Sequence, residues 1–433
     1  MTPAARLSAA IEILGAIDAQ RIPAPNALKE WGTAHRFAGS GDRAAIAGLV
    51  FDVLRRRASS AWLMDSDTPR ARTLGMLKLE RGLNVDAVAA LCDGGRFAPE
   101  PLTDTERAAL TTRSTKNAPA HIAGDYPEWL DPQFTAVFGE TRVDEAIAMA
   151  SRAPLDLRVN TLKASQDKVL ASMKHLGTRA TPWSPWGLRI DLGADARNPG
   201  IHSEEAFIKG GVEVQDEGSQ LAALLTGAKP GQQVIDMCAG AGGKTLALAA
   251  MMQGKGRLIA TDHDKRQLAP IHERLSRAGI HNADVRTPRG PDDTLSDIKA
   301  SADLVVIDAP CTGTGTWRRN PDAKWRMRPG ALEVRIKDQV EVLDRAAGLV
   351  KPGGRIAYIT CSVLPQENNE QVKAFTARHP DYAVVPPEQV MSVLWDKADD
   401  FAAATIRSDE GLLMTPRRTG TDGFFVSVMT RRN

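Results

Sequence analysis

The stretch "VIDMCAGAGGKTLALAA", Val234 to Ala250, decides how the rest of the chain is read. An apolar, β-branched run ends at Asp236, a glycine turn follows, and a helix-forming segment begins. Gly243-Lys244-Thr245 is how a phosphate-cradling loop ends, but that loop needs G-x-x-x-x-G-K-[ST]. Its first glycine position falls on Cys238. The dinucleotide fingerprint fails too, because Gly240 and Gly242 are followed at the third glycine site by Thr245. An NTPase is therefore not indicated. What remains is a strand, a tight turn and a helix. Asp262 ends the next strand about 20 residues on, where an acid can hold ribose hydroxyls.

A ribose-binding acid without a phosphate cradle suits a nucleoside cofactor that carries no phosphates. S-adenosylmethionine is the common one. Two further strand ends narrow the chemistry, since ligands of open α/β sheets bind outside the carboxyl ends of the strands. "VVIDAPCTGTGTWRRNPDAKWR" places Asp308 and Cys311 at one tip, and "YITCSVLPQENNEQV" places Cys361 at another. A zinc site made of Cys238, Cys311 and Cys361 has no compact ligand spacing. A thiol beside S-adenosylmethionine suits methylation of a pyrimidine C5. Thiolate addition at C6 turns C5 into an enamine carbon able to attack a methyl group. A hydrogen bond at N3 eases the addition, and Asp308 stands at the right strand end to give it. Amino-group methyltransferases place an aromatic residue in a D/N-P-P-Y-type sequence here, whereas this chain has "DAPC".

Around this centre the chain of 433 residues divides into three regions. Residues 1–140 read as helical: Leu7, Ile11, Leu14 and Ile17 share one helical face, as do Ile46, Leu49, Val50, Val53 and Leu54. Arg55, Arg56 and Arg57 close that second helix as a solvated end or a phosphate-contacting patch, and Thr103 with Glu106 forms a capping box. Residues 141–220 form a small α/β unit with strands in "LDLRVNTLKA" and "GLRIDL". Residues 221–433 alternate strands and helices, the signature of a parallel sheet, and close with an antiparallel pair, "GLLMTP" and "GFFVSVMT". The fold class expected is α/β at the C-terminus with an all-helical N-terminal domain. There is no apolar run long enough to span a membrane, no secretory signal and no CxxC pair among four cysteines, so a reducing cytoplasm is expected. The formal net charge of +2 does not itself imply nucleic acid.

The motifs "DMCAGAGGKT", "ATDHDKRQL", "DAPCTGTGTWRRNPDAKWR" and "TCSVLPQENNEQV" resemble those of the Sun/RsmB family of RNA cytosine-C5 methyltransferases. "LRVNTLKAS", "VEVQDEGSQLA" and "GTDGFF" support the resemblance, and "DRAAIAGLVFDVLRRRASSAWLM" resembles the NusB-like domain of the ribosomal-RNA members. The resemblance implies a Rossmann-like class I methyltransferase sheet, an RNA-binding-like (RRM-like) middle unit and a NusB-like helical domain. It implies Cys361 as nucleophile, Cys311 as the second cysteine that assists release, and S-adenosyl-L-methionine as cofactor. The cofactor would be held by Asp236, Cys238, Ala239, Gly240, Ala241, Gly242, Gly243, Lys244, Asp262 and Asp308. The expected substrate is 16S ribosomal RNA, naked or in a partly assembled small subunit, acted on by a monomer. The alternatives are a tRNA cytosine-C5 methyltransferase, a DNA cytosine enzyme using Cys311, and a non-catalytic RNA-binding assembly factor.

Two positions depart from the family pattern. Ala241 stands where proline is usual, and Arg289 stands where an aspartate is expected near the adenine, with Asp284, Asp292 and Asp293 as nearby acids. For RNA contact the sequence offers Arg318, Arg319, Lys324 and Arg326, interleaved with Trp317 and Trp325 in a stacking-plus-phosphate composition.

Overall fold

The computed structural model describes residues 1–193, 199–288 and 294–433. They fall into two compact units. One comprises Met1–Arg152 with 192–193 and Trp317–Arg328, and the other comprises Ala153–Asp191, Pro199–Thr316 and Pro329–Asn433.

The first unit is helical. Helix Pro3–Gln20 buries Leu7, Leu14 and Ile17, and helix Ser40–Arg55 buries Ile46, Val50, Val53 and Leu54, so the expected apolar faces form one core. At helix Asp104–Thr112 the Thr103 hydroxyl accepts from Glu106 N–H at 3.2 Å, and the Glu106 carboxylate accepts from Thr103 N–H at 3.0 Å. That is the reciprocal cap the sequence signals. The three consecutive arginines do not form one solvated end. Arg55 is buried, Arg56 pairs with Glu80 at 2.8 Å, and Arg57 stays partly exposed.

The second unit opens with four strands: β1 (Leu155–Val159), β2 (Arg179–Ala180), β3 (Gly187–Ile190) and β4 (Val212–Val214). They pair antiparallel in the order β2-β3-β1-β4. A large sheet follows, built from β5 (Gln233–Asp236), β6 (Arg257–Thr261), β7 (Ala283–Arg286), β8 (Ala302–Asp308) and β9 (Val350–Thr360). β10 (Tyr382–Val384), β11 (Ile406–Ser408), β12 (Gly411–Met414) and β13 (Phe424–Arg431) complete it. Among the described residues its order is β11-β12-β13-β9-β8-β5-β6-β7, with β10 on the outer side of β13.

β9-β8-β5-β6-β7 are parallel neighbours, while β12 and β13 form the expected antiparallel pair and β13 runs antiparallel to β9. The central strands read as apolar runs because helices cover both faces of a parallel sheet. On one face Val234, Leu258, Leu304, Val306, Ala357 and Ile359 pack with Leu246, Leu248 and Leu221. Strand order reverses at β5, with β6 on one side and β8 on the other, which opens a crevice at their carboxyl ends.

The stretches outside the large sheet that carried the resemblance brace it. Asn160 Nδ2 donates to Ala278 O at 2.9 Å, and Arg274 pairs with Glu213 of β4 at 3.1 Å. Asp216 accepts from Asp422 N–H at 3.1 Å and from Gly218 N–H at 2.7 Å, tying "QDEGSQ" to "GTDGFF".

Candidate active site

The chain leaves β5 at Asp236 and must reverse at once to enter helix Gly243–Met251. Gly240 and Gly242 make the reversal with left-handed backbone, φ 49° and 86°. At Gly242 a Cβ would also stand 2.5 Å from Ile271 Cγ1, so dihedral and space both require glycine. The turn is anchored twice. Ala241 O accepts from Arg274 at 2.7 Å, so the residue in proline's place still has a fixed carbonyl, and Gly240 N–H donates to Asp262 Oδ2 at 2.9 Å. Asp262 Oδ1 accepts from Asp264 N–H at 2.9 Å, with His263 Nδ1 3.0 Å away.

Cys238, Ala239, Gly240, Ala241, Gly243, Lys244, Asp262 and Asp308 line one cavity of about 290 Å³, joined by His263 and Gln267. Two carboxylates on its wall disfavour a polyphosphate and suit ribose hydroxyls and a sulfonium cation. The residues therefore fit the expected cofactor. Asp236 and Gly242 shape the turn from behind. Asp236 is fully buried; its Oδ2 accepts from Thr245 Oγ1 at 2.7 Å and its Oδ1 has no partner among the described residues. Burial pushes its carboxyl up to about 7 despite the Thr245 hydrogen bond.

Lys244 reaches out of the helix's first turn and pairs with Asp308 at 2.7 Å, beside Ser219 Oγ at 3.3 Å and 5.0 Å from the Phe424 ring. Beyond Asp308, the tips of β8 and β9 bring Cys311 Sγ to 3.4 Å from Cys361 Sγ. The hydrogen bond with Cys361, and then burial, hold the Cys311 thiol well above its usual range, so Cys311 keeps its proton near neutrality. Burial likewise raises Cys238, which lines the cofactor cavity.

The two cysteine loops are cross-braced by a residue that the sequence reading passed over. Glu367, fully buried six residues beyond Cys361, accepts from Thr312 N–H at 2.8 Å, from the Thr312 hydroxyl, and from Gln339 Nε2 at 3.1 Å. Gln339 also donates to Pro310 O at 3.0 Å. Burial raises the Glu367 carboxyl against these hydrogen bonds. A second brace is backbone on backbone. Gly315 N–H donates to Cys361 O and Gly423 N–H to Gly315 O, both at 2.9 Å, and a Cβ on Gly315 would stand 2.2 Å from Gly423 O. Among the described residues no cluster of His, Cys, Asp and Glu could hold a metal ion.

Comparison with known proteins identifies the family. Residues 223–430 match the family described as 16S rRNA methyltransferase RsmB/F, and residues 126–197 match its ferredoxin-like domain. Ribosomal RNA small subunit methyltransferase B of Sodalis glossinidius is 33% identical over 71% of this chain and 66% of its own length. A probable methyltransferase of the same name from Synechocystis is 32% identical over 71% of this chain and 67% of its own length. The chain belongs to the RsmB/F family. In these two relatives the shared part spans about two thirds of their length, and it reaches 91% in a relative from Cronobacter sakazakii at 28% identity. A Pyrococcus horikoshii methyltransferase homologue of known structure shares the fold, with TM-score 0.57 and 24% identity over 72% of this chain and 97% of its own. With the family comes S-adenosyl-L-methionine as the cofactor.

The stretch "WRRNPDAKWR" lies elsewhere than its composition suggests. Trp317 to Arg328 belong to the helical unit, where Trp317 stacks on Phe134 at 5.9 Å between centroids. Arg318 is buried, and its carbonyl accepts from Arg55 Nη2 at 2.9 Å. Lys324 is buried and donates to Arg55 O at 3.1 Å, and burial lowers its ammonium to about 7 against the pull of Asp125. The expectation that Arg318 and Lys324 present themselves to RNA is corrected by this burial. Arg319 is partly exposed; Arg326 is exposed and pairs with Asp322 at 3.2 Å. In the adenine region Asp284 is taken up by Arg257 and Arg286, each at 3.1 Å, while Arg289, Asp292 and Asp293 lie outside the described residues.

Proposed function

We propose that this RsmB/F protein methylates C5 of a cytosine in RNA, with small-subunit ribosomal RNA as substrate, through a covalent bond between cysteine and C6. The observation that carries the reading is the pair of thiols 3.4 Å apart, next to a Lys244–Asp308 pair on the cofactor cavity. The bound cofactor supplies an electrophilic methyl group. Cys361, as thiolate, adds to C6 of the base, and the electrons of the C5–C6 double bond become available at C5. The Lys244–Asp308 pair gives the hydrogen bond at N3 that lowers the cost of the addition. Once C5 carries the methyl group, the C5 proton leaves, the C6–S bond breaks, and the Cys361 thiolate is restored. Cys311, held as a thiol, assists that release. The family resemblance favours Cys361 as nucleophile over the reverse assignment used by a DNA-type enzyme.

Adduct trapping tests the division of labour. Cys361→Ala should abolish turnover and leave no protein–RNA adduct on a denaturing gel. Cys311→Ala should permit attack and methyl transfer but stall release, giving a shifted band. Exchanged outcomes would assign the attack to Cys311. No adduct in either variant, nor in the wild type with a 5-fluorocytosine RNA, would reject covalent catalysis.

A further inference from the structure

The helical unit contains a second cavity, of about 620 Å³, that the methyl-transfer reading leaves unused. That volume lies within the roughly 300–1,000 Å³ of ordinary ligand sites. One wall is the motif segment, with Trp325, Arg326 and Arg328; the other is formed by Arg21 after helix Pro3–Gln20 and by Arg57. Trp325 is half-buried, and its ring is fixed because Nε1 donates to Leu54 O at 2.6 Å. Cations flank it: Lys324 Nζ lies 4.9 Å and Arg57 Cζ 5.8 Å from the ring centroid.

The acids on the walls are already committed. Asp18 and Asp67 both pair with the fully buried Arg72, the latter at 3.2 Å. Asp322 accepts from Ala24 N–H at 3.2 Å and pairs with Arg326. Arg57 touches Asp18 and Asp67 only at 3.7 and 3.5 Å. The side chains of Arg21 and Arg328, both exposed, have no carboxylate partner among the described residues. A pinned aromatic ring on the same cavity as the exposed guanidinium groups of Arg21 and Arg328 is a composition that holds unpaired nucleotides, the base stacking on the ring and the phosphates meeting the arginines.

We infer that this groove binds a single-stranded segment of the RNA substrate, with a base on Trp325 and the flanking phosphates on Arg21, Arg57 and Arg328. The inference rests on the reading of RNA as substrate and adds a place on the helical unit where an unpaired strand is gripped. A duplex cannot present a base face to Trp325, so the groove selects unpaired RNA.

The test uses the full chain and fluorescence anisotropy with a fluorescein-labelled, unstructured oligoribonucleotide across a salt series. Arg21→Ala with Arg328→Ala should weaken binding about tenfold or more and lower the salt slope by about 1.4, at roughly 0.7 per phosphate contact on a single strand. Trp325→Phe should bind nearly as the wild type. Trp325→Leu, which keeps apolar bulk without a π face, should lose about tenfold; circular dichroism checks that it is folded. A labelled duplex should bind more weakly and be insensitive to Trp325→Leu. Wild-type affinity and slope in the arginine variant, or a Trp325→Leu protein that is folded and binds normally, would overturn the groove. If the wild type methylates RNA while these variants bind normally, only the groove falls. If the wild type neither binds nor methylates any RNA, the proposed function falls with it.

Discussion

Glu367 offers the sharpest test of how the two cysteine loops are held. Glu367→Ala removes the acceptor for the Thr312 N–H, the Thr312 hydroxyl and the Gln339 amide, all beside Cys311. Each buried donor left unpaired costs about 1–3 kcal/mol, and the hydroxyl can turn elsewhere. With the cavity left by the side chain, the loss comes to about 3–6 kcal/mol, a large share of the ~5–15 kcal/mol that holds a typical domain. Glu367→Gln differs in kind. Both the Thr312 N–H and the Gln339 amide donate to Oε1, so a glutamine with its carbonyl there keeps both. Its amide then faces the Thr312 hydroxyl, which is able to accept. Burial already disfavours the charge at Glu367, so losing it should cost under about 1 kcal/mol. Urea denaturation should therefore separate the two variants by several kcal/mol. In a methyl-transfer assay alanine should lose about 10²-fold or more, since a displacement of about 1 Å at a reacting group has that effect, and glutamine should stay close to the wild type. A glutamine variant as inactive as the alanine variant would refute the bracing role and make the carboxylate a chemical participant.

Asp262→Ala should weaken S-adenosylmethionine binding by about 1–3 kcal/mol in calorimetry, because Gly240 N–H and Asp264 N–H lose their acceptor and the ribose loses its partner. Gly242→Ala, which must hold φ 86° with a Cβ 2.5 Å from Ile271 Cγ1, should cost about 2–4 kcal/mol in thermal denaturation and abolish cofactor binding. Asp236 titrates near 4 when unfolded and at about 7 when folded, so the folded state holds the extra proton across that window. Stability should accordingly fall as pH rises from about 4 to 7, and Asp236→Asn should flatten that part of the profile of denaturation midpoints.

The catalytic sheet was legible because its strands are buried on both faces and so appear as uninterrupted apolar runs such as "LVVID" and "RIAYIT". The shortest strands were not: β2 spans two residues and β10 and β11 three each, too short to show a period. The glycine turn could be read because Gly240 and Gly242 leave a dihedral signature in the sequence. Glu367 left none, since an acid within "PQENNEQV" looks solvated until Thr312 and Gln339 are folded onto it. Arg318 and Lys324 were misjudged for the converse reason. Their composition describes a surface, but Arg55, some 260 residues earlier in the chain, supplies the partners that bury them. Local sequence carries periodicity and turn chemistry, not the identity of a distant receptor.

Trp317 to Arg328 also set the order in which the protein can be made. The helical unit is not a contiguous stretch of chain; its Phe134 ring, Leu54 carbonyl and Arg55 groups find partners about 165 residues beyond Arg152. A ribosome adding ~5–20 residues per second leaves those positions bare for on the order of 10–30 s. During that interval the nascent helices hold an unfilled seat lined by aromatic and apolar groups, a natural target for a holding chaperone. A gene fragment ending at Arg152 would stay in that unfinished condition permanently, so dissecting this chain by simple truncation removes part of the unit it is meant to isolate.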